Sequence, residues 1–274
     1  MDVSAFKSSN WQSMNATQRV GALQGLEGNM AQQQGRQPRT VKTEKMESGT
    51  NGYYSMADPQ YVKLNADLVA SPQGNYQAMQ TTIHEGRHAY QDDCVRGRIA
   101  PQPQDQAKEE SWKQNSSATG GVYNSPQNSA FVDYRYQPKE ADANTYAKDQ
   151  MNSCGGQLSG DPAYHAFTEK RDAQDRYTAA AAKSAYGDNY EQVIREDIGR
   201  RYEAKQEAAG QSAQNNSVNG GQKGSFDFKA DKVQREKAPT AAVSSSASKY
   251  KAPSKPSTQS KTTSLSQSKG GQSR

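Results

Sequence analysis

Three histidines occur in the chain: His84, His88 and His165. Two of them stand in the run His84-Glu85-Gly86-Arg87-His88. Residues four apart on a helix share a face, so both imidazoles can reach one ion. Imidazole and carboxylate donors suit zinc, at one ion per chain. Glu85 sits about 100° around the helix from His84, which keeps it out of the ligand shell but near a metal-bound water. A carboxylate to complete the set is Glu140, in Gln137-Pro138-Lys139-Glu140-Ala141-Asp142-Ala143-Asn144-Thr145-Tyr146-Ala147. Glu140, Ala143, Asn144 and Ala147 share one helix face, and two alanines there permit a close approach to the histidine helix. Asn144 or Asp142 would then hydrogen-bond the outer edge of a ligand. Alone, Glu140 and Asp142 read as a solvated helix start favoured by the helix dipole. The histidine pair turns Glu140 into a candidate ligand.

These residues need elements to position them. Asn15 is an N-cap for a helix over Ala16 to Gln34, stopped at Gly35, with Val20, Leu23, Leu26 and Met30 as its apolar stripe. Arg39 to Met46, Gly52 to Tyr54 and Tyr61 to Val69 lean toward short β-strands. Ser71-Pro72 opens the histidine helix, which runs to about Val95 along the seam Tyr76, Met79, Ile83, Tyr90 and Cys94. Residues 97–130 read as a long loop with one helical turn near Trp112, and such loops are often functional. Gln137-Pro138 starts the Glu140 helix, through about Met151. Asp161-Pro162 starts a fourth helix, broken at Gly187-Asp188, beyond which Tyr190, Ile194, Ile198 and Tyr202 recur every four residues.

Composition sets the domain limits. Only 32% of the 274 residues are hydrophobic, and the mean hydropathy is −1.12. From Gln211 to Arg274 the chain is Ser, Lys, Gln, Thr, Ala and Gly with few large apolar residues. Such a segment cannot bury enough apolar surface to offset its ordering entropy, so 211–274 is expected to be a disordered basic tail. Residues 1–210 form the domain, with a core at about 15–155 and a helical extension over 161–208. The tail carries eleven Lys and Arg against three acids, a charge of +8; the whole chain is +5, so residues 1–210 sit near −3. An acidic partner or nucleic acid could meet this tail, though a solubilising role is the simplest reading. No apolar run is long enough to span a membrane. The start, MDVSAFKSSNWQSMNATQ, lacks the basic and apolar stretches of a signal peptide, so a cytoplasmic location is expected, or export by a route that reads no such signal. Cys94 and Cys154 form no metal or disulfide pattern and are expected as free thiols.

His-Glu-x-x-His followed on a later helix by Glu-x-x-Ala-Asn-x-Tyr-Ala resembles the gluzincin group of metallopeptidases, and is especially similar to the compact ImmA/IrrE-type domains. The resemblance covers about residues 60–150. It implies a small α+β, zincin-like fold in which a short mixed sheet, with a substrate-facing edge strand, sits beside the metal helix and a third-ligand helix. Tyr61 to Val69 is the candidate edge strand. It makes His84, His88 and Glu140 the zinc ligands and Glu85 the general base, acting on a peptide or protein substrate. Two departures stand out: the gap between His88 and Glu140 is long, and no separate helix-turn-helix accompanies the domain.

For a further donor to the oxyanion, the candidates are His165, Tyr134 and Tyr136. His165 reads equally as a helix-surface residue, and the tyrosines as packing. Cys94, six residues past His88, points elsewhere. Trp11 and Trp112 read as core. Arg87 orients an acidic group or pairs at the surface, the second being commoner. Besides a metalloendopeptidase, the sequence admits a non-catalytic zinc-stabilised protein-binding module, or a tail-driven nucleic-acid-associated protein. An intact Glu85 favours the first.

Overall fold

A computed structural model describes residues 2–219, with side chains through Gln211. Two short pieces lead the chain, a 3-10 turn at Ser4–Phe6 and helix α1 at Ser8–Ser13. Neither is long enough to show a periodicity, yet Val3, Phe6 and Trp11 are fully buried. The core therefore begins ahead of residue 15, where the sequence pattern starts it. Arg19 fastens this segment by donating to the carbonyls of Trp11, Val69 and Ala70.

Helix α2 spans Ala16–Gln34 and opens with a capping box between Asn15 and Gln18. Leu23, Leu26 and Met30 are buried and Val20 is partly so. The strands are β1 (Thr40–Glu44), β2 (Gly52–Tyr54) and β3 (Tyr61–Asn65). Their order is β1-β3-β2, with β1 parallel and β2 antiparallel to β3. This corrects the strand assignment. Tyr61 begins the central strand, not an edge, and the strand stops at Asn65, whose side chain caps helix α3 (Ala66–Ala70). The edge beside the histidine helix is β2.

That helix, α4, spans Asn75–Val95 and starts three residues past Pro72, because Pro72 lies in a turn closed by the Gly74 N–H on the Ser71 carbonyl. Its first half faces a large apolar cluster that includes Leu23, Met30, Leu64, Met79, Ile83, Met151 and Cys154. Its last turns face a smaller one of Tyr90, Cys94, Val95 and Trp112. Both cysteines are buried and free.

The stretch expected as a loop is more ordered than its composition suggests. It holds a 3-10 turn at Pro103–Lys108, helix α5 (Glu109–Gln114) around the buried Trp112 and a 3-10 turn at Ser117–Thr119, and helix α6 (Phe131–Tyr136) follows directly after it. Helix α7 (Pro138–Ser153) opens with proline in its first turn. Helices α8 (Gly155–Leu158), α9 (Pro162–Tyr186) and α10 (Tyr190–Asn219) complete the described residues. Helix α10 runs past the compositional boundary at Gln211 and ends at Asn219. The rest of the expected tail, 220–274, lies outside the described residues. Among the described residues no helix is long and apolar enough to cross a membrane.

Close packing of β2 on α4 rests on Gly52. A Cβ there would lie 2.6 Å from the Lys63 carbonyl oxygen and 2.7 Å from Thr81 Cγ2. Overpacking of this kind costs about 1–3 kcal/mol. Gly52→Ala is expected to lower unfolding stability by that amount in urea titrations. A loss below a few tenths would mean that β2 does not press on α4.

Candidate metal centre

His84 and His88 lie on the face of α4 that meets α7. Their Nε2 atoms are 3.1 Å apart and their rings stand edge to face, with centroids 4.7 Å apart. Ala143 and Ala147 on α7 are fully buried, which lets the two backbones come close. The first turn of α7 then delivers Glu140, itself 2% exposed. Its Oε2 is 3.3 Å from His84 Nε2 and its Oε1 is 3.1 Å from His88 Nε2. Burial pushes the Glu140 carboxyl up, and the two imidazoles outweigh it, holding the group well below the usual carboxylate range.

Glu85 points to one side of this group. Its Oε2 accepts the Tyr54 N–H at the end of β2, at 2.8 Å, and among the described residues its other oxygen makes no hydrogen bond. Burial pushes its carboxyl up to about 7; His84 opposes the rise and Glu140 adds to it. Donor atoms of His84, Glu85 and His88 all lie within 4.8 Å of one another, so this group could hold a metal ion. Between the two carboxylates, Glu140 is the one that touches both imidazoles.

The orientation of His88 is fixed from behind. Its Nδ1 is 2.9 Å from Gln91 Oε1. The amide nitrogen of Gln91 donates to the Lys139 carbonyl at 3.0 Å and to Asp142 Oδ2 at 2.7 Å. Both of those are acceptors, so Oε1 is the atom that faces the histidine, and Nδ1 must carry the proton. The His88 Nε2 thereby faces Glu140 and His84. Asp142 thus supports the histidine through Gln91, not directly.

Gly86 and Arg87, between the two histidines, turn into the protein. A Cβ on Gly86 would sit 3.0 Å from Arg36 Nη2 and 3.3 Å from Glu27 Oε2, a bidentate pair with fully buried side chains. Arg87 is 2% exposed. It forks onto Asp105 at 2.7 and 3.0 Å and onto Asp142 at 2.7 and 3.1 Å. The guanidinium also lies over the rings of Tyr90, Trp112 and Tyr146. Of the two readings of Arg87, the structure shows the one in which it orients acids.

The 97–136 segment contributes two tyrosines over the centre. Tyr123 donates its hydroxyl to Glu140 Oε1 at 2.6 Å. Tyr134 stands edge-on to it, with ring centroids 6.4 Å apart. Burial, then the charges of Glu140 and Glu85, push the Tyr134 hydroxyl up, so it keeps its proton. His165 and Tyr136 lie elsewhere. His165 is exposed, with its Nε2 at the Ser159 carbonyl, and the Tyr136 hydroxyl meets Thr178 on α9. Sequence reasoning missed Gln91, Tyr54 and Tyr123. Gln91 was within reach of helical spacing, three residues past His88. Tyr54 and Tyr123 act through long-range placement that no local pattern announces.

Searches against protein-family models, curated proteins and solved structures returned no match for this chain.

Proposed function

We propose that this chain is a zinc-dependent metallopeptidase of the gluzincin type, with a zincin-like α+β domain that acts on peptide or protein substrates. The observation that carries the reading is the convergence of His84, His88 and Glu140. Zinc bonds of ~2.0–2.1 Å in a tetrahedron put neighbouring ligand atoms about 3.3 Å apart. Here the two Nε2 atoms are 3.1 Å apart, Glu140 Oε2 is 3.3 Å from that of His84, and the other oxygen, Oε1, is 3.1 Å from that of His88. The donor set is also that of a catalytic site, two imidazoles and a carboxylate, which leaves a fourth position for water.

In such a site zinc supplies a water of near-neutral pKa and a Lewis acid toward a carbonyl. The chain's own groups do the rest. Glu85, tied by one oxygen to the Tyr54 N–H, offers the other to take a proton from water and return it to the leaving amine. Its burial raises the proton affinity of the carboxyl, the direction that lets it accept a proton. Strand β2 is a sheet edge next to Glu85 and can receive an extended peptide by strand addition. Among the candidate donors, Tyr134, a protonated hydroxyl within the fields of Glu85 and Glu140, is the one we assign to a developing oxyanion.

Metal content tests the reading first. Purified wild-type protein is expected to carry about one zinc per chain by mass spectrometry, and His84→Ala and Glu140→Ala to lose most of it, because three protein ligands hold the ion. A wild type free of zinc after reconstitution would end the proposal.

A further inference from the structure

We propose that Tyr123 is a positioning residue for the carboxylate of Glu140: its hydroxyl engages Oε1, so that the carboxylate meets a metal ion through Oε2. The inference rests on the zinc-peptidase reading and concerns how that site keeps a position open. A carboxylate that binds through both oxygens uses two places in the shell; one that binds through a single oxygen leaves room for water. A strong hydroxyl donor on one oxygen draws its electron density and favours the single-oxygen mode.

The contact is built into the fold. Tyr123 exposes 41% of its surface, but its hydroxyl turns inward to Glu140 at 2.6 Å. Two fully buried amides, Asn115 and Gln137, set the backbone on either side of it. Asn115 Nδ2 donates to the Val122 carbonyl, and Gln137 pairs with both the N–H and the carbonyl of Asn124, each at 2.8 Å. The same two amides are joined to each other at 2.8 Å, and Asn115 Oδ1 accepts the Lys139 N–H at 3.0 Å. One buried network therefore fixes both the Tyr123 segment and the turn of α7 that carries Glu140. From outside, Arg201 on α10 donates to Asn124 Oδ1 and Lys205 donates to the Gly121 carbonyl. A tyrosine kept only for packing would not need its neighbours tied to the helix that holds its partner.

Cobalt(II) is the spectroscopic probe, with zinc affinity from chelator competition alongside it. Cobalt-loaded wild type is expected to show the strong visible band of a four-coordinate site; a weak band of higher coordination would overturn the proposal without any variant. Tyr123→Phe is expected to keep the melting temperature of the metal-free protein, bind zinc about ten- to hundred-fold more weakly, and show a shifted, weaker cobalt band. Tyr136→Phe, on the face of α6 turned to α9, should match the wild type in all three. Equal zinc affinity and identical cobalt spectra for wild type and Tyr123→Phe would overturn the role of Tyr123 and leave the zinc reading intact. A wild type that takes up neither ion would remove both.

Discussion

Glu85→Gln is expected to keep one zinc per chain and to slow peptide hydrolysis about 100- to 10,000-fold, the usual share of a general acid–base. The substitution keeps size and leaves an oxygen for the Tyr54 N–H, so β2 stays against α4. What it removes is the group that can accept a proton. Cleavage of an unstructured peptide library, followed by mass spectrometry, reads the rate, and metal analysis of the same samples reads the site. The pairing also separates the two carboxylates. Glu85 lies close enough to the histidines to be considered a ligand. Were it one, Glu85→Gln would lose zinc and Glu140→Gln would retain it. The contacts of Glu140 with both imidazoles predict the opposite order. Full activity in a zinc-loaded Glu85→Gln protein would dismiss the general base.

Arg87→Met should be the most damaging single change away from the ligands, at about 3–5 kcal/mol in urea unfolding, the cost of breaking a buried ion pair by removing one partner. Asp105 and Asp142 have side chains 3% and 7% exposed, and Arg87 serves both. Lys108 reaches the same two acids but is nearly half exposed and cannot replace a planar fork. The loss is a large fraction of the 5–15 kcal/mol that holds an average domain together. It also reaches the histidines, because Asp142 holds Gln91 and Gln91 holds His88. Arg87→Lys should fall between the two proteins, keeping charge without the double fork. A cost below 1 kcal/mol for Arg87→Met would show that the pairing is not held in solution.

The parts of this arrangement that were legible in the sequence are those set by local rules. Asn15 and Gln18 mark the start of α2, Pro138 marks the start of α7, and four-residue spacing puts His84 and His88 on one face. The alanines at 143 and 147 announced that another helix could come close. Long-range choices were hidden. A run such as Tyr61 to Asn65 reads as a strand, but its central place depends on partners on both sides. Helix α1 has six residues and shows no usable period, although Trp11 is at the heart of the core. Arg87 looked like a surface cation because its acids lie 18 and 55 residues away. Tyr123 stands after Val122, beyond the pair Gly120-Gly121, in a stretch without periodicity, and Asn115 and Gln137, brought together by the fold, aim it at Glu140.

The two cysteines divide the molecule in a useful way. Cys154 belongs to the large cluster under α2 and the sheet, and Cys94 to the small one beneath Trp112. Burial pushes the Cys94 thiol up to about 11 and raises that of Cys154 as well, so neither presents much thiolate near neutral pH. A thiol reagent must therefore wait for local opening, and each sulfur times the opening of its own cluster. The histidine centre lies along α4 between them. Labelling rates at the two sulfurs become a pair of clocks, one for each half of the helix that carries the histidines.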